Sequence, residues 1–457
     1  MSDAQEMEIT PERLTDLVET GDLQALADAV VELDLHASDV ADLLEELDQK
    51  EQVALVRALP AEVASEALAE MEEGDERAEL LAALDPLKGA ELLHELADDD
   101  AADLIAELEP HEANRILANL PVDEAGDLRG LLLYDEETAG GIMTTELVAV
   151  DAGISASQAI EEIRRQGQEV EEFYTIFVVD EKRRLLGTVS LAEVVVAEPQ
   201  VPVSELVEEA QVTILPGTDQ EEVGRLMARY NLVSAPVVNE FGQLLGRITF
   251  DDIIDVMEAE QTEDILRLAG VSDEEEVRAD WQDAVRTRLP WLGLNLLTIT
   301  VASSVVVFFE GTVREYWFLA MLLPIVGGMG GNSGTQALAV TVRRIALASS
   351  DFERRSDAVS KELLVGLVNG LVLGLAAAGA IWFLGRANPD IPALLPAVVL
   401  VALWGNILLA GFAGAFIPTL LNRLGVDPAV ASSVFLTTFT DLVGFALLLG
   451  MASLLLL

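Results

Sequence analysis

One carboxylate, Asp441, stands inside the apolar run that ends the chain, FLTTFTDLVGFALLLG (435–450), and between Ala429 and Leu457 no other side chain ionises. A charge at the middle of a membrane helix costs roughly 2.5–3.5 kcal/mol even on lenient insertion scales, so such a group needs a partner or a task. Two readings are open. In one, a protonated Asp441 hydrogen-bonds a neighbouring helix. In the other, it meets a hydrated divalent cation: Mg2+ keeps most of its waters and is held by one or two carboxylates, with hydroxyl, amide and carbonyl oxygens around its shell. Thr437, Thr438 and Thr440 lie just before the carboxylate.

A second polar interruption lies upstream, in PIVGGMGGNSGTQAL (324–338), where Pro324, five glycines, Asn332, Ser333, Thr335 and Gln336 enter an apolar segment. A packing face explains the glycines. It does not explain the proline and the two amides. Freed backbone carbonyls at membrane depth are tolerated where they line a water-filled path, so the expectation here is a broken helix beside a permeation route. Thiolate and imidazole ligands are absent from this region: the chain has no cysteine, and its histidines are His36, His94 and His111.

These residues must be positioned by a chain made of two materials. The 457 residues are 51% hydrophobic yet carry a formal charge of −53. Nine acids and eight bases fall from Leu289 onward, leaving 71 acids and 19 bases ahead of it. The front is therefore an acidic, water-facing region and the back a membrane domain. Such a front has no basic footprint for nucleic acid, and cations are its natural guests. Acid excess with only four lysines is also the surface chemistry of a protein working in a very salty cytoplasm. The opening MSDAQEMEIT has neither a basic nor an apolar stretch, so no cleaved signal and a cytoplasmic amino terminus are expected.

The first region reads as helix throughout. Its apolar anchors recur at Leu23, Leu35, Leu47, Leu59, Met71, Leu84, Leu96, Leu108 and Leu120, a spacing of 12 with one 13. LPAE (59–62), LDPL (84–87), LEPH (108–111) and LPVD (120–123) place proline where each short helix restarts. An all-α superhelix over 1–137 follows from this repeat. From AGGIMTTE (139–146) the texture changes to β-branched runs alternating with amphipathic helices. VVDEKRRLLGTVSLAE (178–193) and VVNEFGQLLGRITFDD (237–252) align without a gap, pairing Gly187 with Gly246, Ser190 with Thr249 and Glu193 with Asp252. Each half is expected to run strand (LVAV, QVTIL), helix, two strands and a closing helix. The duplication resembles a tandem pair of cystathionine-β-synthase-type (CBS) modules, over 138–197 and 198–257. Members of that family sense adenosine nucleotides or cations.

Five apolar segments follow, at about 289–309, 317–342, 361–385, 391–421 and 428–457, each long enough for a bilayer core. Arg286 and Arg288 precede the first, and Arg343, Arg344, Arg354, Arg355 and Lys361 fill the loop after the second. The opposite side has only Arg314 and Arg386. The positive-inside rule then puts the acidic front in the cytoplasm and the carboxyl terminus outside, which requires an odd number of spans.

Pro324, Asn332, Gly334 and Gln336, with DPA (427–429) and TTFTDLVG (437–444), make the chain similar to the MgtE family of magnesium channels. The likeness runs through a helical amino-terminal domain, a CBS pair, a connecting helix (258–288) and five spans (289–457), a multidomain membrane protein that is α/β in its CBS pair and all-α elsewhere. It implies a homodimer in the cytoplasmic membrane whose pore runs between the second and fifth spans of both subunits. Asp441 then matches the pore carboxylate that binds hydrated Mg2+, with Pro324, Gly331, Asn332, Gly334, Gln336, Thr437 and Thr438 lining the path. The stretch TFDDIIDVMEAEQTEDILRLAG (249–270) has an independent reading. On a continuous helix Asp252, Asp255, Glu260, Glu263 and Asp264 cover about half the circumference, where repulsion invites a cation or a solvated face suffices. The resemblance makes them cytoplasmic Mg2+-sensing acids, together with Asp219, Glu221 and Asp427. Asn231 and Ser433 depart from the family pattern at one sensing position and near the inner pore. Among the amino-terminal acids, DDD (98–100) is the candidate to face the CBS pair.

The function expected is passive, Mg2+-selective uptake with negative feedback by cytoplasmic Mg2+, and ATP as an additional regulatory ligand of the CBS pair. A CBS-regulated transporter for another divalent cation, such as Co2+ or Mn2+, is the alternative. An enzyme is not expected, since no nucleophile–base pair, cassette lysine or histidine metal motif lies near the spans.

Overall fold

The computed structural model describes residue 17 and residues 22–457, except 73, 169, 171, 172, 272–280, 347–357, 425 and 429–432; the side chains of 75, 283 and 433 are also left aside. The opening MSDAQEMEIT, Arg354, Arg355, Ala429 and the side chain of Ser433 therefore lie outside the described residues. The chain forms two compact units, Met1–Met257 and Glu258–Leu457.

In the first unit, short helices follow one another: α1 (Leu23–Leu33), α2 (Ala37–Glu45), α3 (Gln49–Ala58), α4 (Ala61–Ala69), α5 (Asp75–Ala83), α6 (Pro86–Leu93), α7 (Asp98–Ala106), α8 (Pro110–Leu117) and α9 (Glu124–Leu131). The 12-residue anchors occupy the corners between these helices: Leu47, Leu59, Met71, Leu84, Leu96, Leu108 and Leu120 are all buried there. Proline sits at the first position of α6 and α8, where its missing N–H has no helical partner to lose. Asp48 and Asp85 cap α3 and α6 through their side chains.

The duplicated region repeats one register. β1 (Ala149–Asp151) pairs parallel with β2 (Thr175–Val179), which pairs antiparallel with β3 (Leu185–Ser190), after α10 (Ala156–Gln166) and before α11 (Leu191–Val196). α12 (Gln220–Tyr230) precedes β4 (Ser234–Val238) and β5 (Leu244–Thr249), and α13 (Phe250–Ala269) closes the second half. Val178 faces Gly187 and Val237 faces Gly246, and each hairpin shifts register immediately afterwards. Both glycines are sites of close backbone approach. A β-carbon would lie 2.1 Å from the Glu208 carbonyl oxygen at Gly187 and 2.5 Å from that of Thr144 at Gly246.

One expectation fails here. QVTIL (211–215) does not form a strand equivalent to β1; only Ile214 bridges Val237, in parallel. Pro216 follows at once and has no N–H to give a ladder, and the chain turns back through Thr218 N–H to the Leu215 carbonyl. A buried cluster from Leu26 through Leu131 continues into Ala139, Met143, Ile214, Val223, Met227, Val237, Ile248 and Ile253, so the helical region shares its core with the second CBS half. The first half keeps a separate core around Val150, Ile163, Ile176 and Val189.

The second unit holds the latter part of α13, then α14 (Trp281–Phe308), α15 (Glu310–Glu315), α16 (Leu319–Ala346), α17 (Ala358–Ala387), α18 (Leu395–Arg423) and α19 (Ser433–Leu456). Among the described residues four helices are long and apolar enough to cross a membrane: Ala284–Phe308, Ala358–Ala387, Leu395–Arg423 and Val434–Leu456. α16 matches them in length with 28 residues, but its glycines, Asn332 and Gln336 make it less apolar. α17 lays Gly366, Gly370 and Gly374 against the backbone of α18 at Ile407, Trp404 and Leu400.

Candidate ion pathway and acidic sites

The expected break in the second span is absent: α16 is one continuous helix with Pro324 inside it. Tertiary packing explains the difference. Gly327, Gly330, Gly331 and Gly334 are all buried, and each receives a side chain from a neighbouring helix. In membranes, neighbouring helices stabilise segments whose glycine and proline content would break an isolated helix. The opposite ridge carries Asn332 and Gln336, and these, like Pro324, are exposed on the protomer. The packing face expected of the glycines is therefore present, and the expected break is not.

The buried ridge is where the two polar interruptions meet. A β-carbon on Gly327 would lie 2.5 Å from Asp441 Oδ1, so only glycine leaves room for the carboxylate. Four residues on, Gly331 faces Thr437 and Thr440, and Gly334 faces Leu436. Residue numbers rise along α16 as they fall along α19, so the helices run antiparallel. Asp441 is half-buried, and no hydrogen-bond donor to it is found among the described residues. The neighbouring hydroxyls are engaged with their own helix: Thr438 donates to the Val434 carbonyl at 2.8 Å and Thr440 to that of Thr437 at 2.9 Å. The residue packed against the carboxylate on α16 is a glycine.

Asn406 on α18 was missed by the sequence reading. It is 0% exposed and donates through Nδ2 to the Val326 carbonyl at 2.8 Å. A lone amide in the apolar run 391–421 was the available signal, by the same argument that singled out Asp441.

In the first unit, the acidic stretch DDD opens α7 and turns toward the second CBS half. Asp98 accepts from Thr145 Oγ1. Asp99 is buried, its Oδ1 has no hydrogen-bond partner, and burial followed by the charge of Asp252 holds its carboxyl well above the usual carboxylate range. Burial likewise raises Asp252, against the lowering effect of its bond from Thr249, with Asp251 and Asp255 adding repulsion. Asp252 accepts from Thr249 N–H and Oγ1 through Oδ2 alone, and Glu193 uses Oε2 alone in the matching contact with Ser190. A buried orphan oxygen facing a second carboxylate is a donor set that fits a divalent cation.

The other sensor candidates fall elsewhere. Asp219 caps α12, accepting from Glu221 N–H at 3.0 Å, and Glu221 lies in that first turn. Asn231 ends α12 in the left-handed region at φ 52°, a conformation asparagine tolerates well, which supplies a backbone reason for its presence. On α13, Asp255 is exposed and Glu260 half-buried. In the second unit Arg267 pairs with both Glu263 and Asp427. Burial and then repulsion from Asp427 raise Asp264, opposed by Arg267 and Arg343. Among the described residues no three His, Asp or Glu side chains are grouped to hold one ion.

Residues 323–451 match the divalent cation transporter model MgtE, residues 35–137 the MgtE intracellular N domain, and residues 139–199 and 203–259 the CBS domain. The magnesium transporter MgtE of Thermus thermophilus is 39% identical over 72% of this chain and 72% of its own length. The magnesium transporter MgtE of Enterococcus faecalis is 36% identical over 71% of each. A solved structure described as the cytosolic domain of the Mg2+ channel MgtE in complex with ATP superposes with a TM-score of 0.50 at 36% identity, covering 53% of this chain and 98% of that one. A glycine-lined carboxylate in a helical membrane domain, behind a helical domain and a CBS pair, is thus found in a chain that belongs to the MgtE family of magnesium transporters.

Proposed function

We propose that this chain is a Mg2+-selective channel for passive uptake across the cytoplasmic membrane, working as a homodimer with five spans per subunit, amino terminus inside and carboxyl terminus outside. The observation that carries the reading is Asp441 Oδ1 set against Gly327, with no protein donor to neutralise it among the described residues. One carboxylate from each subunit, with threonine and amide oxygens nearby, can hold an ion that keeps its water. No ATP hydrolysis is needed, because a divalent ion entering a cytoplasm at −100 mV gains about twice 2.3 kcal/mol.

Closure by cytoplasmic Mg2+ belongs to the same proposal. Mg2+ bound at Asp99 and Asp252 would relieve a repulsion that otherwise penalises their contact, and Glu263, Asp264 and Asp427 offer a second place for charge neutralisation. Asp219, Glu221, Asp255 and Glu260 extend this acidic surface. An ion bound more tightly by the compact arrangement shifts the population toward it. ATP as a ligand of the CBS pair is supported by the likeness to the cytosolic domain solved with ATP. The free carboxylate oxygens of Glu193 and Asp252 could accept from ribose hydroxyls.

The test is Mg2+ flux into liposomes holding the full-length protein. Asp441→Asn and Asp441→Ala are expected to abolish flux; flux at the wild-type rate would end the pore assignment. Because the matching family model is described as a divalent cation transporter, Co2+ and Mn2+ are run as competing ions. Flux of either above that of Mg2+ would favour the broader reading.

A further inference from the structure

We propose that Asn406 is a positioning residue for permeation: its side-chain amide fixes α16 against α18 and α19, and so fixes the gap at Gly327 into which Asp441 fits. The inference rests on the reading of Asp441 as the ion-binding carboxylate.

Three helices converge on this one amide. Nδ2 donates to the Val326 carbonyl on α16 at 2.8 Å, and Val326 is the residue before Gly327. A β-carbon at Gly330 would lie 2.2 Å from Nδ2, and one at Gly444 on α19 would lie 2.6 Å from it. Both glycines therefore make room for Asn406 and for nothing larger. Gly330 is three residues from Gly327, and Gly444 is three residues from Asp441 on the antiparallel α19, so the amide lies within about one helical turn of the carboxylate.

The bond is not explained by stability. Asn406 Oδ1 is buried with no partner among the described residues, and a buried unsatisfied acceptor offsets the gain from the single donated bond. The consequence of the bond is geometric. A leucine of similar volume would fill the same space without setting the register of α16, and ion sites tolerate little looseness in their supporting contacts.

The experiment compares wild type, Asn406→Leu, Asn406→Ala, Gly330→Ala, the double variant Asn406→Ala with Gly330→Ala, and Asp441→Asn in liposomes. Mg2+ flux, the Mg2+-to-Ca2+ flux ratio and the half-closing cytoplasmic Mg2+ are read alongside thermal stability. Asn406→Leu is expected to lose at least about tenfold in flux and to change the flux ratio, with the half-closing concentration unmoved. Gly330→Ala should behave alike, because its methyl group displaces the amide. The double variant should lose less than the product of the two single effects, since removing the amide removes the clash. Wild-type flux and ion ratio in Asn406→Leu, strictly multiplicative losses in the double variant, or losses that follow thermal stability alone would each overturn the positioning role. Asp441→Asn separates the two claims: if it carries normal flux, the pore reading falls and this inference with it, whereas a dead Asp441→Asn beside a normal Asn406→Leu removes the positioning role alone.

Discussion

Gly327 and Asp441 are packed so closely that a β-carbon on the glycine would lie 2.5 Å from the carboxylate oxygen. Contacts under 3 Å force something to move, and here the neighbour is the one ionisable group of α19. Gly327→Ala should therefore cut Mg2+ flux by about tenfold or more, as misplacing a reacting group by an ångström does elsewhere. Gly379→Ala on α17, where nothing lies within 4 Å, should leave flux near wild type. Equal flux in the two variants would separate the glycine from the pathway.

Asp99 and Asp252 give a signed pH dependence. Burial raises both carboxyls, with the charge of Asp252 adding to it at Asp99 and the charges of Asp251 and Asp255 adding to it at Asp252. A carboxyl with a higher pKa folded than unfolded binds more protons in the folded state. Stability is then greatest below the ordinary carboxylate value of about 4 and falls as pH rises through the raised folded values. In Mg2+-free buffer the melting temperature should drop as pH rises above the ordinary carboxylate range, and added Mg2+ should restore it more at the higher pH. Asp99→Asn should melt higher without Mg2+ and gain less from it. A difference of 1 kcal/mol corresponds to about 2–4 °C for a unit of this size. Identical Mg2+ responses in the variant and wild type would remove Asp99 from the sensing set.

Arg267 joins Glu263 to Asp427, and Leu268 beside it packs near Leu338, Val342, Ala413 and Leu436. Partly exposed pairs of this kind contribute about 0.2–1 kcal/mol each. Arg267→Gln should therefore raise the half-closing cytoplasmic Mg2+ by about two- to tenfold and increase flux at low Mg2+, while leaving ion selectivity unchanged. A lowered half-closing concentration would mean that Arg267 instead competes with Mg2+ for these acids.

Arg77 is 4% exposed, pairs with Glu107 at 2.6 Å and also donates to the Ala69 and Met71 carbonyls. Removing one partner of a buried pair strands the other charge, at about 3–5 kcal/mol. Glu107→Ala should lower the melting temperature of the helical region markedly. Glu161→Ala, which breaks the exposed pair with Arg164 in α10, should cost no more than about 1 kcal/mol of stability. Thermal unfolding followed by circular dichroism distinguishes the two.

Features governed by local periodicity and composition are legible in the chain alone. The 12-residue anchors and the prolines after them marked the helix corners, because a corner needs a buried apolar residue and a helix start tolerates proline. The alignment of Gly187 with Gly246 reproduced one hairpin register twice, because both glycines sit where a backbone carbonyl crosses the strand. The cost of charge in lipid identified Asp441.

Tertiary structure decided what depends on partners distant in the chain. Pro324 and five glycines read as a break in α16, yet neighbouring helices fill the glycine ridge and keep it continuous. Pro216 reduced an expected strand to one bridge at Ile214. The partner of DDD became visible only when α7 packed against the second CBS half and set Asp99 beside Asp252. Asn406 gained its meaning from Val326, Gly330 and Gly444, which lie on two other helices. Local propensity acts over a few residues. The spacing between two carboxylates, or between a carboxylate and a glycine, is set by how whole helices pack.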